Sequence, residues 1–332
     1  MKKSFRIVNA LLAPLLAFTP LALPAHADGH TYPEKPVVLY ISYGAGGATD
    51  YQARDVTAPA ARESGKGGIG AAVNIVNKPG AGGRRGWNEF VNTAKPDGYE
   101  LAAYNVPHFI AQSIGDRKKP SYNTGNLEPV ANWGADPAVL IVSKDSPFRT
   151  LADLVGYARE NPGKLTANGA GTLTGHHIAF LQFQKAAGIK MAYVPDPKGG
   201  ANALAQVKGG HVKAGFNNLS DAYRSKDELR ILAVAATARN GDFLPDVPTF
   251  AEQGFDAVDD SSVNFRGVMA PAGTPPAVLE QLSADMTAMF SSGRVKKKMK
   301  LAGAPLRVMT RAEVLQMWAQ REKDLRALLA DL

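Results

Sequence analysis

The 332-residue chain is 45% apolar and 20% charged, the composition of a globular protein, which excludes a disordered or fibrous one. Its length accommodates two domains with separate cores, and its lack of cysteine excludes thiol catalysis, cysteine-based zinc sites and a disulfide framework. The formal charge of +8, or +5 without the three cations of Lys2, Lys3 and Arg6, favours acidic ligands weakly through steering and identifies none.

The first 27 residues read as a separate object. Lys2, Lys3 and Arg6 make a charged n-region, Ile7 to Leu23 is mostly apolar, and Ala25-His26-Ala27 fits a small-x-small cleavage site. The apolar run is broken by Asn9, Pro14, Thr19 and Pro20, and it is marginal in length for a span. A cleaved export signal is therefore expected, with the mature chain starting near Asp28.

The run Pro36-Val37-Val38-Leu39-Tyr40-Ile41 reads as a buried parallel strand that empties into Tyr43-Gly44-Ala45-Gly46-Gly47-Ala48-Thr49-Asp50 and then a helix, Asp50 to Arg62. The pattern recurs in Ala72–Val76 followed by Asn77-Lys78-Pro79-Gly80-Ala81-Gly82-Gly83. Two glycine loops at the carboxyl ends of successive strands would face one crevice, and amides at a helix N-terminus suit an anion. A helix at Trp87–Thr93 and a strand at Glu100–Tyr104 follow. Strand and helix alternate in this way along the chain, which implies parallel pairing with helices on both faces.

Two strand-like pieces flank Ala135-Asp136-Pro137, where the chain is expected to cross into a second domain. There Thr150 caps the helix Leu151 to Glu160, and Gly169-Ala170-Gly171-Thr172 leads to a helix from Gly175 to Ala187. Strands are expected at Met191–Val194, Val212–Phe216 and Arg230–Ala235. A strand at Gly267–Met269, a helix at Ala277–Phe290 and a last helix from Thr310 to Leu329 close the chain. In the last helix Val314, Leu315, Trp318, Leu325 and Leu329 form the expected buried stripe. The fold class is thus α/β, with two domains, each a doubly wound mixed sheet, and a ligand cleft between them. Domain 1 is expected at 28–129 plus 233–332, and domain 2 at 130–232.

Other chemistries fit less well. Gly44-Ala45-Gly46 begins a dinucleotide fingerprint, but Thr49 occupies the third glycine position and no phosphate-loop motif exists. No Gly-x-Ser-x-Gly elbow is present. His176 and His177 are adjacent and diverge by about 100° on a helix, so they cannot share a metal as an i,i+4 pair would. The basic run Arg294–Lys300 reads as a solvated helix face. No cofactor, metal, catalytic group or nucleic-acid partner is expected.

The ordered motifs of the mature chain resemble one family. Tyr32-Pro33-Glu34-Lys35-Pro36, Gly46-Gly47-Ala48-Thr49-Asp50, Asn77–Gly83, Pro96-Asp97-Gly98-Tyr99, Asn161-Pro162-Gly163-Lys164-Leu165, Gly209-Gly210-His211-Val212, Pro245-Asp246-Val247-Pro248-Thr249 and Ala270–Pro275 match, in register, the extracytoplasmic solute receptors of tripartite tricarboxylate transporters, the Bug proteins. The resemblance implies a type II periplasmic binding-protein fold. It also implies a small carboxylate held by both glycine loops and delivered to a membrane permease, without a cofactor, by a receptor expected to be a monomer. Alternatives are an exported hydrolase on the same scaffold or a sensory receptor feeding a signalling partner.

Read on these loops, amides of Gly46, Gly47 and Ala48 and of Gly80, Ala81 and Gly82 donate to carboxylate oxygens or bridging waters. Asp50 holds loop amides without touching the anion. Asn105 and Asn217 stand at strand ends facing the cleft, Thr172 and Thr174 bring hydroxyls, and His177 stands for the one histidine of its pair that lines it. Three departures from the family pattern are candidate specificity residues. Tyr43 adds a hydroxyl or packs as an aromatic. Arg84 pairs with a second ligand carboxylate or lies on the surface. Asp196, in a loop with a one-residue insertion, favours an amine or hydroxyl if it faces the cleft and is otherwise a turn aspartate.

Overall fold

The computed structural model describes residues 32–331, so the expected export signal lies outside the described residues. In chain order the elements begin with β1 (Val37–Ile41), α1 (Ala48–Thr57), β2 (Val73–Asn77), α2 (Arg84–Thr93), β3 (Glu100–Val106), α3 (His108–Gly115) and β4 (Leu127–Asp136). They continue with β5 (Ala138–Ser143), α4 (Leu151–Glu160), β6 (Thr166–Gly169), α5 (Gly175–Ala186), β7 (Ala192–Pro195), α6 (Gly200–Lys208), β8 (Ala214–Asn218), α7 (Leu219–Arg224) and β9 (Leu229–Ala235). The chain closes with β10 (Asn264–Pro271), α8 (Pro276–Phe290), α9 (Gly293–Leu301), β11 (Leu306–Met309) and α10 (Arg311–Asp331).

The strands form two mixed sheets, ordered β11-β4-β10-β3-β1-β2 and β7-β6-β8-β5-β9. In the first, β1 pairs parallel with β2 and β3, while β10 runs antiparallel to β3 and β4. In the second, β6 pairs parallel with β7 and β8, and β5 is antiparallel to β8 and β9. The sheet changes at Pro137, a single residue between β4 and β5. A proline has no N–H for a ladder, so it fits between the sheets better than inside either. The expected domain limits at 129/130 and 232/233 fall inside β4 and β9, two unbroken strands. The return crossing lies between Ala235 and Asn264, and Phe250 and Val258 of that stretch pack in the second lobe's core.

Each sheet is covered on both faces. In the first lobe, Leu39, Ile41 and Leu101 meet Leu282, Met286 and Phe290 on one side, while Tyr104 and Val106 meet Trp87, Phe109 and Trp318 on the other. The α10 stripe keeps Val314, Trp318 and Leu325 buried, but Leu315 is exposed because it lies one residue, about 100°, off that face. Lys296, Lys297 and Lys300 of α9 are exposed, half-buried Lys298 pairs with Asp55 (2.9 Å), and Val295 and Met299 anchor the helix.

One close contact fixes the centre of the first sheet. Gly267 on β10 lies opposite Tyr104 on β3, and the buried Tyr104 hydroxyl donates to Asn132 Oδ1 (2.8 Å). A Cβ at Gly267 would overlap that hydroxyl and the Ala131 carbonyl oxygen. Gly267→Ala is therefore expected to destabilise by about 1–3 kcal/mol and to lower the melting temperature by several degrees. An unchanged melting curve would show that both the Tyr104 ring and the β4 backbone at Ala131 give way.

Candidate functional site

The carboxyl ends of β1 and β3 and the amino end of β10 meet the second lobe across a cavity of about 50 Å³. Asn264 and Arg266, two apart on β10, share one face of the sheet, and Asn105 on β3 is the register partner of Arg266. A bulge in β4 lets Arg266 pair with Gly134 and Gly267 with Asn132, and bulges re-aim side chains in this way. All three side chains line the cavity.

Arg266 is 0% exposed. Its Nη1 donates to Asp136 Oδ2 (2.7 Å) and its Nε to Thr49 Oγ1 (3.2 Å), while Nη2 has no protein partner. Asp136 accepts further bonds from the Ser220 amide (3.1 Å), the Ser220 hydroxyl (2.5 Å) and Gln52 Nε2 (3.3 Å). The anion is thus held by donors from both lobes, and one arm of the cation is left over.

From the second lobe, His176 accepts the Ala170 N–H at Nδ1 (3.1 Å). In a neutral imidazole the hydrogen must then sit on Nε2, a buried donor that faces the Asn218 side chain without a hydrogen bond of normal geometry. Burial is the main cause that pushes the His176 pKa down to about 4, with the Asn218 amide opposing, so the ring is neutral near pH 7. His108, 6.4 Å away between ring centroids, is driven well below the ordinary value by burial, then by His176 and the nearby arginines. Its Nδ1 and Asn105 Oδ1 are also buried without partners. The N-cap of α1, Gly47, carries no capping side chain, so the first-turn amides of Ala48 and Thr49 lack the usual cap acceptor at the cavity wall.

The structure redistributes the sequence candidates. Tyr43, Gly47, Ala48 and Asn105 line the cavity. Gly46 does not: it is exposed and its amide donates to Asp50 Oδ2 (2.9 Å). Asp50 also takes Arg54 and Asn77 (both 2.9–3.0 Å), and these partners outweigh burial to hold its carboxyl below the usual range. His176, not His177, faces the cavity. His177 is turned toward Tyr193 and Phe180, with Nδ1 accepting the Leu173 amide. Thr174 is the N-cap of α5, its hydroxyl donating to the Gly171 carbonyl. Asn217 donates to the Gly200 carbonyl and accepts the Asn218 amide, so it supports the wall without reaching the space.

Gly80, Ala81 and Gly82 belong to a narrow gap and to an outer groove of about 640 Å³. There Arg84 is already committed, with Nε and Nη2 on Asp116 (2.5 and 2.8 Å) and Nη2 reaching Thr172 across the cleft. The Gly82 carbonyl accepts from Tyr43 (3.0 Å) and Gln112 (2.9 Å), so Tyr43 is both a packed ring and a donor to the second loop. Asp196 is a turn aspartate: it accepts the Lys198 amide, Asn202 and Gln206. The outer groove is larger, but its charged groups are paired or solvated. Asn105 Oδ1, His108 Nδ1, His176 Nε2 and Arg266 Nη2, all buried without partners, belong to residues lining the smaller cavity, and we place the candidate site there. Arg266, Asp136, His108, Asn218, Asp221 and Asn264 were missed by sequence reasoning. An arginine two residues after an asparagine in a strand otherwise apolar was the available signal.

A family model for the tripartite tricarboxylate transporter family receptor matches residues 56–330. The chain belongs to this receptor family. It is 32% identical over 290 residues to the UPF0065 protein in the gbd 5' region of Cupriavidus necator, covering 85% of this chain and 83% of the relative. Among solved structures, the periplasmic binding protein BugD is 25% identical with a TM-score of 0.81, over 90% of this chain and 98% of BugD. An R. palustris protein with adipate is 25% identical with a TM-score of 0.79, over 90% and 99% of the two chains.

For this receptor the cavity histidines set an acid limit. The folded pKa of His176 lies below the unfolded 6.5, so its contribution is full above pH 6.5 and is lost as pH falls toward 4, at most about 3 kcal/mol. His177, also pushed down to about 4 by burial, acts in the same window, whereas Asp50 acts only at lower pH. Melting temperature should fall between pH 6.5 and 4, and His176→Gln should flatten that slope. An equal slope in the variant would show that His176 is not buried neutral.

Proposed function

We propose that this receptor binds a small carboxylate in the interlobe cavity, outside the cytoplasm, and delivers it to a tripartite-type membrane permease. The observation that carries the reading is the unpaired Nη2 of buried Arg266, converging with the His176 Nε2–H and the uncapped first turn of α1. A carboxylate accepts from all three, and charge-assisted bonds to arginine are the strong ones. Asp136 does not cancel the attraction outright, because Ser220 and Gln52 hold it as well. The adipate described with a structurally similar protein supports this class of ligand.

The cavity is far smaller than the few hundred Å³ of common ligand sites, so entry requires the lobes to part. Micromolar affinity needs roughly −8 kcal/mol, within reach of several such bonds plus closure. Export to the periplasm is supported by the family and by the expected signal at 1–27. Among the described residues no helix is long and apolar enough to cross a membrane.

A thermal-shift panel tests the reading: small mono- and dicarboxylates should raise the melting temperature in a concentration-dependent way. A shift with a sugar or a cationic amine and none with any carboxylate would overturn it. Arg266→Lys keeps a cation for Asp136 and removes the free arm, so carboxylate binding measured by calorimetry should weaken by about 1.5–3 kcal/mol. Arg266→Met would strand Asp136 without its cation and should cost about 3–5 kcal/mol of stability in chemical denaturation.

A further inference from the structure

A chain of four side chains fixes which end of one amide faces the cavity. Arg224 Nη2 donates to Asp221 Oδ1 (2.8 Å). The Asp221 carboxylate accepts, so Asn218 must turn its NH₂ toward Asp221 Oδ2 (3.1 Å). Asn218 Oδ1 is then left to accept from Asn264 Nδ2 (3.4 Å). Asn264 in turn presents its oxygen to Asn105 Nδ2 (3.1 Å), whose second hydrogen goes to Thr49 Oγ1 (2.9 Å). Both N–H groups of Asn105 are spent, and its Oδ1 is buried, unpartnered and set in the cavity wall. The order runs from Asp221 and Asn218 in the second lobe to Asn264 and Asn105 in the first, so the orientation is imposed when the lobes are closed.

This acceptor stands among donors. Arg266 Nη2, the His176 Nε2–H and the first turn of α1 all offer hydrogens, while Thr49 Oγ1 already receives two. A plain carboxylate satisfies the donors and leaves Asn105 Oδ1 bare, which is costly in a dry site. From this, and resting on the carboxylate reading above, we infer that the ligand is a hydroxycarboxylate whose hydroxyl donates to Asn105 Oδ1. An ammonium in the same place would lie beside the free arm of Arg266, and the nearby carboxylate of Asp221 is already paired with Arg224 (2.8 Å).

Calorimetry on protein freed of ligand by unfolding and refolding, with matched acids, tests the inference: malate against succinate, lactate against propionate, with oxaloacetate and aspartate for the oxo and amino forms. The hydroxy member of at least one pair should bind ten- to a hundredfold tighter than its deoxy partner. Asn105→Ala should bring malate down to the succinate level and leave succinate within about threefold. Asp221→Asn supplies a sharper readout. Arg224 keeps the oxygen of the new amide, its NH₂ replaces Oδ2, and the relay reverses so that Asn105 presents NH₂. The hydroxy-over-oxo preference should then shrink or invert, with the melting curve used to confirm folding. Equal binding within each pair, tighter aspartate than malate, or an Asp221→Asn protein with unaltered preference would overturn the hydroxyl assignment and leave carboxylate binding standing. Failure of every acid to bind would overturn both.

Discussion

The buried pair between Arg266 and Asp136 is the constraint around which the site is built. Both side chains are essentially without solvent, so their mutual attraction must offset a desolvation cost of several kcal/mol per ion. It does so only because Asp136 gathers donors from Ser220 and Gln52 as well as the guanidinium. Asp136 ends the last strand before the sheet changes, and Ser220 opens a helix of the other lobe. One carboxylate therefore pins the crossing point and joins the lobes. The geometry that completes the anion's shell leaves the cation's shell incomplete, and the incomplete arm is the one in the cavity wall.

The two glycine loops, alike in sequence, do different work. The first ends in a helix whose opening turn lies on the cavity. The second is a spacer and a latch. Its Gly82 has φ +66°, and a Cβ on Gly171 would stand 3.1 Å from Gly82 Cα, so the two backbones meet across the cleft where side chains would hold them apart. Tyr43 and Gln112 hold the Gly82 carbonyl, and Arg84, braced by Asp116, reaches Thr172. Closure at this edge is polar and partly exposed, which suits a contact that must break and re-form.

Much of the architecture was legible because it follows from local rules. The apolar run of β1, the glycine break after it and the Thr150 capping box each have a physical cause that acts within a few residues. The centre of the site was not legible, because its cause is non-local. Asp136 stood in the sequence only as part of the expected crossing Ala135-Asp136-Pro137, and Arg266 fell just outside a strand read as Gly267–Met269. Their pairing spans 130 residues. The choice between His176 and His177 likewise turned on one local amide, Ala170 N–H, whose position depends on how β6 ends. Helix α3, which supplies His108 and Gln112, begins after Pro107 with no side-chain cap and so gave no start signal.

The same non-locality says how recognition works. Asn105 and Arg266 belong to the first lobe, His176 and Asp221 to the second, and the Asn264–Asn218 bond and the Ser220–Asp136 bonds cross between them. With the lobes apart, Asn105 is free to turn either end of its amide outward, and Asp136 loses two of its donors to water. A ligand that merely fits the open first lobe meets generic helix-terminus amides. A ligand that also satisfies the fixed amide and the free guanidinium arm gains those bonds only as the lobes close. Selectivity and closure are then one free-energy term, since a ligand shifts the open–closed equilibrium by no more than its differential affinity for the two states. An acid lacking the matching donor would leave Asn105 unpaired in the closed form alone, and would be rejected chiefly by failing to hold the receptor shut.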